Sequence, residues 1–324
     1  MNEKQAVKYI IGFLITVCTL LGLNCNVYSF RCKKFYFNSC LVIWCLISMF
    51  IFAWLYLKKL YDSVVSEGLV IENAVSLFYY MNVISALLNY GSQILVGKEY
   101  TNIYNNSRVF EAMDYLSVDR KMLQSQIVLV VTKIILYPLV TEITLILQHV
   151  RKDEDDTNVL WTLFTLYPLI LSNVIPNCFF GIMILSRQGI LALNQVIQDI
   201  EKEANFIQNP QQMGLHKHFY RMHKFCNLAD KLDELLRIYS MICYSTMNYI
   251  NLASIPLIAA LLCNLFAITA GFFQQYYSLA DTLINEERYD AINAITNAIF
   301  LIISLIEVAL HSFVAEQSVQ AVRK

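Results

Sequence analysis

The sequence predicts an all-α fold, a polytopic transmembrane helical bundle, and three observations carry that reading. Between Arg237 and Asp281 the chain runs 43 residues without one charged side chain. Other apolar stretches of roughly 20 residues, the length that crosses a hydrocarbon core about 30 Å thick, carry few charges or none. Hydrophobic residues make up 57% of the sequence and charged residues 15%, against about 45–50% and about 25% in soluble domains. Lipid gives backbone N–H and C=O groups no partner, so such segments cross as helices. Nine Gly and five Pro in 324 residues are too few to punctuate a β-rich fold.

Six full spans follow: Asn38–Leu57, Asn73–Val96, Gln126–Gln148, Asn158–Leu185, Asn251–Phe273 and Ala291–Phe313. Ahead of them Tyr9–Leu23 is marginal in length and reads as an N-terminal half-span or interfacial helix. Lys4 and Lys8 give it the look of a signal peptide. It runs instead into Asn24-Cys25-Asn26 and the basic residues Arg31, Lys33 and Lys34, with no small-residue cleavage site, so it is retained. Between the fourth and fifth spans Ser186–Arg237 is polar. Ile190, Leu193, Val196 and Ile197 recur there at helical spacing before Asn209-Pro210, and the pattern resumes from Phe219 to Leu236. The uncharged run from Ile238 has no polar turn at its centre. It predicts one span continued by helix into the aqueous phase, with Pro256 as a kink, rather than a hairpin.

Orientation follows from Lys and Arg. Residues up to Lys34, the loop 98–125, the segment 186–237 and the tail hold 18 of the 24 basic residues. The positive-inside bias places these parts, and both termini, in the cytoplasm. The chain then divides into a cytoplasmic N-terminal segment with a short apolar helix (1–37), four transmembrane helices (38–185), a cytoplasmic helical linker (186–237), and the last two spans with a cytoplasmic tail (238–324). Asn105 opens a glycosylation sequon that this topology keeps in the cytoplasm and silent.

Several chemistries are excluded by pattern. The net charge of −1 makes no global case for nucleic acid. There is no phosphate-cradling Gly-rich loop, no nucleophile elbow and no paired catalytic carboxylate, so no enzyme is expected and no cofactor. The nine cysteines form no CxxC pair and read as small buried hydrophobes. His216 and His223 lie about 10 Å apart along a helix, too far for one zinc even with Cys226 nearby, so no metal is expected.

Two sets of residues are candidates for a site. Lys133, Glu142 and Glu307 are charges inside spans, which marks them either for a pocket or permeation role or for snorkelling and structural pairing. Polar and aromatic groups also gather in the outer halves of the spans: Tyr79, Tyr80, Tyr137, Thr141, Trp161, Thr165, Tyr167, Asn293, Thr296 and Asn297. With Glu142 they make a candidate small-molecule pocket, rings stacking on the ligand and amides fixing it. The duller alternative is an interfacial aromatic belt with interhelical polar contacts.

The layout resembles the insect gustatory receptor family, seven-span chemosensory receptor channels. The residues that carry the resemblance are Phe225-Cys-Asn-Leu-Ala-Asp-Lys-Leu-Asp-Glu-Leu-Leu before the long fifth helix and Asn264-Leu-Phe-Ala-Ile-Thr-Ala-Gly-Phe-Phe-Gln-Gln-Tyr-Tyr at its outer end. Leu21-Gly22-Leu23 and the run from Glu307 to Glu316 fit as well. The resemblance implies a subunit of a tastant-gated cation channel, a homo- or heterotetramer with related subunits. It would lie in the plasma membrane of gustatory neuron dendrites, with residues 186–237 as the assembly platform. In the family a seventh helix carrying Thr-Tyr and Gln-Phe lines the pore. The sequence holds no Thr-Tyr dipeptide and stops at Lys324 soon after the sixth span, so the resemblance implies a sensing bundle without its pore helix. A G-protein-coupled receptor would need Tyr9–Leu23 to span, and its Asp-Arg-Tyr and Asn-Pro-x-x-Tyr motifs are absent. A transporter would be expected to show repeats or broken helices.

Overall fold

A computed structural model describes residues 12–13, 15–29, 32, 34–67, 74–106, 128–130, 132–136, 140, 143–144, 159–208, 218–284 and 291–323. In chain order these form a short helical segment at 15–20, a hairpin of β1 (Asn26–Ser29) and β2 (Lys34–Phe37), then α1 (Ser39–Glu67) and α2 (Ala74–Asn106). A π-helical turn (Thr132–Leu136) precedes α3 (Val159–Gln208), α4 (His218–Ile284) and α5 (Ala291–Arg323). The hairpin is antiparallel, with Val27 opposite Tyr36 and Tyr28 opposite Phe35. It was not expected from the sequence, because four-residue strands leave too short an alternation to read.

Among the described residues four helical stretches are long and apolar enough to cross a membrane: Ser39–Asp62, Tyr167–Gln208, Phe219–Tyr277 and Ala294–Ala321. They coincide with the first, fourth, fifth and sixth expected spans. The second expected span lies in α2, which is as long as α5 but carries Asn82, Asn89 and Gln93 within its apolar stretch. The third, Gln126–Gln148, falls largely outside the described residues. The segment 186–237 is helical over its described residues. Its first half is the continuation of α3, 50 residues long, and its second half opens α4, a single 67-residue helix with Pro256 inside it.

Contacts fix the helix directions. Tyr56 of α1 meets Phe164 of α3, so α1 runs antiparallel to α3. Tyr90 and Leu171 share one buried cluster, and Tyr100 and Ile175 the next, so α2 and α3 run parallel. Phe180 packs with Val314, and Ile190 and Leu193 with Ala321, making α5 parallel to α3 as well. Along α4 the order reverses: Ile242 joins Leu193, while Gln275 Nε2 donates to the Ala294 carbonyl at the far end of α5 (2.7 Å).

The segment before the hairpin, whose residues 12–13 and 15–23 are described, packs against α1 and α2. Its helix ends in a Schellman turn: Leu23 N–H donates to the Cys18 carbonyl (2.8 Å) and Gly22 N–H to Thr19 (3.1 Å), with Gly22 at φ 72°. Only glycine fits that turn, since a Cβ on Gly22 would stand 2.5 Å from Ser48 Oγ. Trp44 Nε1 donates to the Thr19 carbonyl (3.0 Å) and the Tyr90 hydroxyl to the Leu21 carbonyl (2.8 Å). Leu23 is buried among Phe52, Tyr56, Tyr90 and Leu171. Phe52 lies about 20 Å along α1 from its start at Ser39, so the turn at Leu23 packs well inside the bundle rather than at its rim. On the way out the hairpin is clamped to α2. Asn105 Nδ2 donates to the Phe35 carbonyl and Phe35 N–H donates to Asn105 Oδ1, both at 2.8 Å, while Thr101 donates to the buried Asn26 side chain.

Two prolines inside α3 explain two of its strongest ties to its neighbours. Pro168 has no N–H for the carbonyl four residues earlier, that of Phe164, and Pro176 none for that of Ser172. The Tyr56 hydroxyl donates to the Phe164 carbonyl (2.5 Å). Asn89 Nδ2, on a side chain with no solvent exposure, donates to the carbonyls of Leu171 (2.7 Å) and Ser172 (3.2 Å). Neighbouring helices thus re-satisfy backbone groups that lipid would leave bare.

Candidate ligand site

One cavity opens inside the bundle where five elements converge. It is lined by Phe78 of α2, Lys133 of the π-turn, Leu169, Asn173 and Asn177 of α3, Asn264 and Ala267 of α4, and Phe300, Ser304 and Glu307 of α5. The cavity is small, with about 20 Å³ of room for the centre of a water-sized molecule, and part of it is open to the outside. The outer wall is apolar: Phe78 and Phe300 meet edge to face at 5.7 Å. The inner wall is polar.

That inner wall centres on an ion pair. Lys133 Nζ and Glu307 Oε1 lie 2.5 Å apart, with side chains 2% and 13% exposed. Lys133 sits in a π-helical turn, the wide-turn geometry that recurs at functional sites. The pair brings together two of the three intramembrane charges singled out in the sequence and settles their alternative: they are paired, and they line a cavity. One turn along α5, His311 Nδ1 lies 2.9 Å from the Glu307 carbonyl, and its ring packs against Phe179 and Phe180. The Asn177 side-chain oxygen is buried without a hydrogen-bond partner among the described residues. The site is therefore charge-balanced and retains an unused acceptor.

The residues expected to form the outer pocket are distributed differently. Tyr79 and Tyr80 meet edge to face at 5.9 Å, and Tyr79, Tyr167 and Phe164 gather around Tyr56, with the Phe164 ring stacked on it at 4.6 Å. Lys59 Nζ caps this cluster, 5.1 Å from the Tyr79 ring centre and 5.7 Å from that of Phe164. Thr296 and Asn297 are buried on α5, one turn before Phe300. None of these five lines the cavity: Tyr79 and Tyr80 follow Phe78 on α2, Tyr167 precedes Leu169 on α3, and Thr296 and Asn297 precede Phe300 on α5. Trp161, Thr165 and Asn293 fall within helices, but their side chains are outside the described residues, as are Tyr137, Thr141 and Glu142 altogether. Asn173, Asn177, Asn264 and Ser304 were not singled out. Their signal was the i, i+4 spacing of two amides within an apolar span.

A bundle of membrane-length helices around an ion-paired polar cavity defines a helical integral membrane protein. The chain belongs to the 7tm chemosensory receptor family, whose sequence model matches residues 11–324. It is therefore a receptor and not an enzyme. Among its relatives are the candidate gustatory receptors 94a and 97a of Drosophila melanogaster. The first is 32% identical over 99% of this chain and 80% of its own length, the second 35% identical over 94% and 74%.

Proposed function

We propose that this protein is a gustatory receptor of the insect type. In this reading a small tastant binds in the cavity beside Lys133 and Glu307, with Tyr79, Tyr80, Tyr167, Thr296 and Asn297 forming its outer approach. The observation that carries the reading is the charge-balanced polar cavity within an otherwise apolar bundle, a costly feature in lipid unless it is used. Family membership supports the chemosensory role. The chain acts as a subunit of a ligand-gated cation channel, assembled with related subunits in the plasma membrane of taste neurons. Six spans with both termini in the cytoplasm fit the helix directions, since α1 and α4 run opposite to α2, α3 and α5. Binding favours the open state by its differential affinity for the two conformations.

The test is dose-response in cells expressing the receptor together with its partner subunits, using calcium influx as readout. Asn177→Leu removes the unused acceptor while keeping the side-chain volume close. We expect a rightward shift of about tenfold or more in the half-maximal dose, equivalent to one lost hydrogen bond of about 1.4 kcal/mol, at unchanged surface amount. An unchanged dose-response for Asn177→Leu and Ser304→Ala together would refute the cavity as the binding site.

A further inference from the structure

The region where the N-terminal segment leaves the bundle holds a pair of cysteines poised for chemistry. Cys25 Sγ and Cys45 Sγ lie 3.3 Å apart, and neither residue has any solvent exposure. A disulfide needs about 2.05 Å, so each sulfur would travel only about 0.6 Å, a small rotation about χ1. Both residues are held from outside the pair. The Cys25 carbonyl accepts a hydrogen bond from Asn38 N–H (3.0 Å), and its neighbour Asn26 is tied to Thr101 of α2. Cys45 is fixed within α1. Gly97 of α2 provides the space: a Cβ there would stand 3.2 Å from Cys25 Cβ and 3.7 Å from its sulfur.

We infer that Cys25 and Cys45 form a reversible thiol–disulfide lock, closed by a peroxide and opened by a thiol reductant. In the first step one cysteine sulfur attacks a peroxide oxygen, breaking the O–O bond; it becomes a sulfenic acid and water leaves. The second sulfur then attacks the sulfenic sulfur, forming S–S and releasing a second water. Overall, two thiols and hydrogen peroxide give a disulfide and two waters, the sulfurs losing two electrons to the peroxide oxygens. In the cytoplasm-facing orientation the chain folds in a reducing compartment, so the pair starts as two thiols. Closing the bridge welds the N-terminal segment to α1, beside the layer where Leu23 packs against Phe52 and Tyr90. Burial makes the pair selective. A small neutral peroxide penetrates where a bulky maleimide does not.

The test uses the full-length protein in detergent. Before unfolding, N-ethylmaleimide should leave Cys25 and Cys45 unmodified; after hydrogen peroxide they should also resist alkylation in denaturant, and dithiothreitol should restore both. Trypsin cuts at Arg31, Lys33 and Lys34, between the two cysteines, so the bridge appears as two peptides held together, two hydrogens lighter than their sum. Fragment spectra distinguish Cys25 from Cys18 and Cys45 from Cys40 on those peptides. Cys45→Ser should abolish the linked species. Gly97→Ala should slow its formation several-fold, because its methyl presses on Cys25 while leaving both thiols in the chain. The oxidised protein should also melt several degrees higher than the reduced protein. Full alkylation of both cysteines after peroxide and unfolding, or bridges only to other cysteines, would overturn the proposal. The wild-type result alone decides this, whether or not the variants fold.

Discussion

Removing the Tyr56 hydroxyl tests how the bundle tolerates prolines in the middle of a membrane helix. Tyr56→Phe keeps the ring and its stacking on Phe164, Phe52 and Tyr167, and deletes only the donor that lies 2.5 Å from the Phe164 carbonyl. Pro168 supplies no N–H in its place, and lipid supplies no water. A buried polar group deprived of its partner costs about 1–3 kcal/mol, and the shielded setting argues for about 2 kcal/mol, close to a thirtyfold change in the folded population. Pro168→Ala returns a backbone N–H to the same carbonyl. In that background the hydroxyl becomes redundant, and Tyr56→Phe should cost under about 0.5 kcal/mol. The assay is a double-mutant cycle on reversible SDS-induced unfolding in mixed micelles, followed by tryptophan fluorescence. A coupling energy of about 1.5 kcal/mol is expected. Equal costs of Tyr56→Phe in the two backgrounds would refute the argument that the tyrosine serves the proline.

The ion pair makes a second cycle. Lys133→Met or Glu307→Leu alone leaves a charge in a low-dielectric interior and should cost about 3–5 kcal/mol, read as lost monodisperse receptor in fluorescence-detected gel filtration, while the double variant recovers most of the yield. If the double variant is as poor as the two losses summed, the pair is not coupled. Gly22→Ala should destabilise by more than the roughly 1–2 kcal/mol of a left-handed non-glycine residue, because its methyl also meets Ser48; a stability unchanged within error would place the Schellman turn elsewhere. Finally, the Asn105 sequon should carry no glycan, since its amide is bonded on both sides to the Phe35 backbone. A mobility shift on enzymatic deglycosylation would contradict both the clamp and the orientation.

The features that the sequence makes legible are those with a long signal. Forty-three uncharged residues without a polar turn predicted a single continuous helix, and α4 is one. Three charges in apolar spans pointed to the site, and two of them meet there. What stayed hidden depended on partners distant in sequence. The continuation of α3 to Gln208 was obscured by polar residues from Ser186 onward, although a helix reads through them without any break in geometry. The amides Asn173, Asn177 and Asn264 resembled ordinary interhelical contacts, because nothing local says which side of a helix faces a cavity. Tyr79, Tyr80 and Tyr167 were read as pocket residues from composition; Tyr79 and Tyr167 gather around Tyr56, and Tyr80 meets Tyr79 edge to face. The cysteines were read as uniformly buried; Cys32, Cys40, Cys178 and Cys226 are exposed, and the pairing of Cys25 with Cys45 required the hairpin that four-residue strands did not announce.

The length of α4 has a mechanical meaning. Its 67 residues make a rod of about 100 Å, more than three times the hydrocarbon thickness. One part of it carries Asn264 and Ala267 at the cavity wall, while Leu235, Ile238 and Ile242 grip α3 and α5 far along the same rod. A rod converts angle into distance: a tilt of about 2° about its midpoint moves each tip by roughly 1.7 Å, given its half-length of about 50 Å. A molecule settling against Asn264 therefore needs to shift that wall only slightly for the remote tip to sweep through about one atomic radius. Pro256 lies between the two grips. Whether the stroke arrives in full or is lost as bending there is a question of stiffness, and stiffness at a proline hinge is something a single substitution can tune.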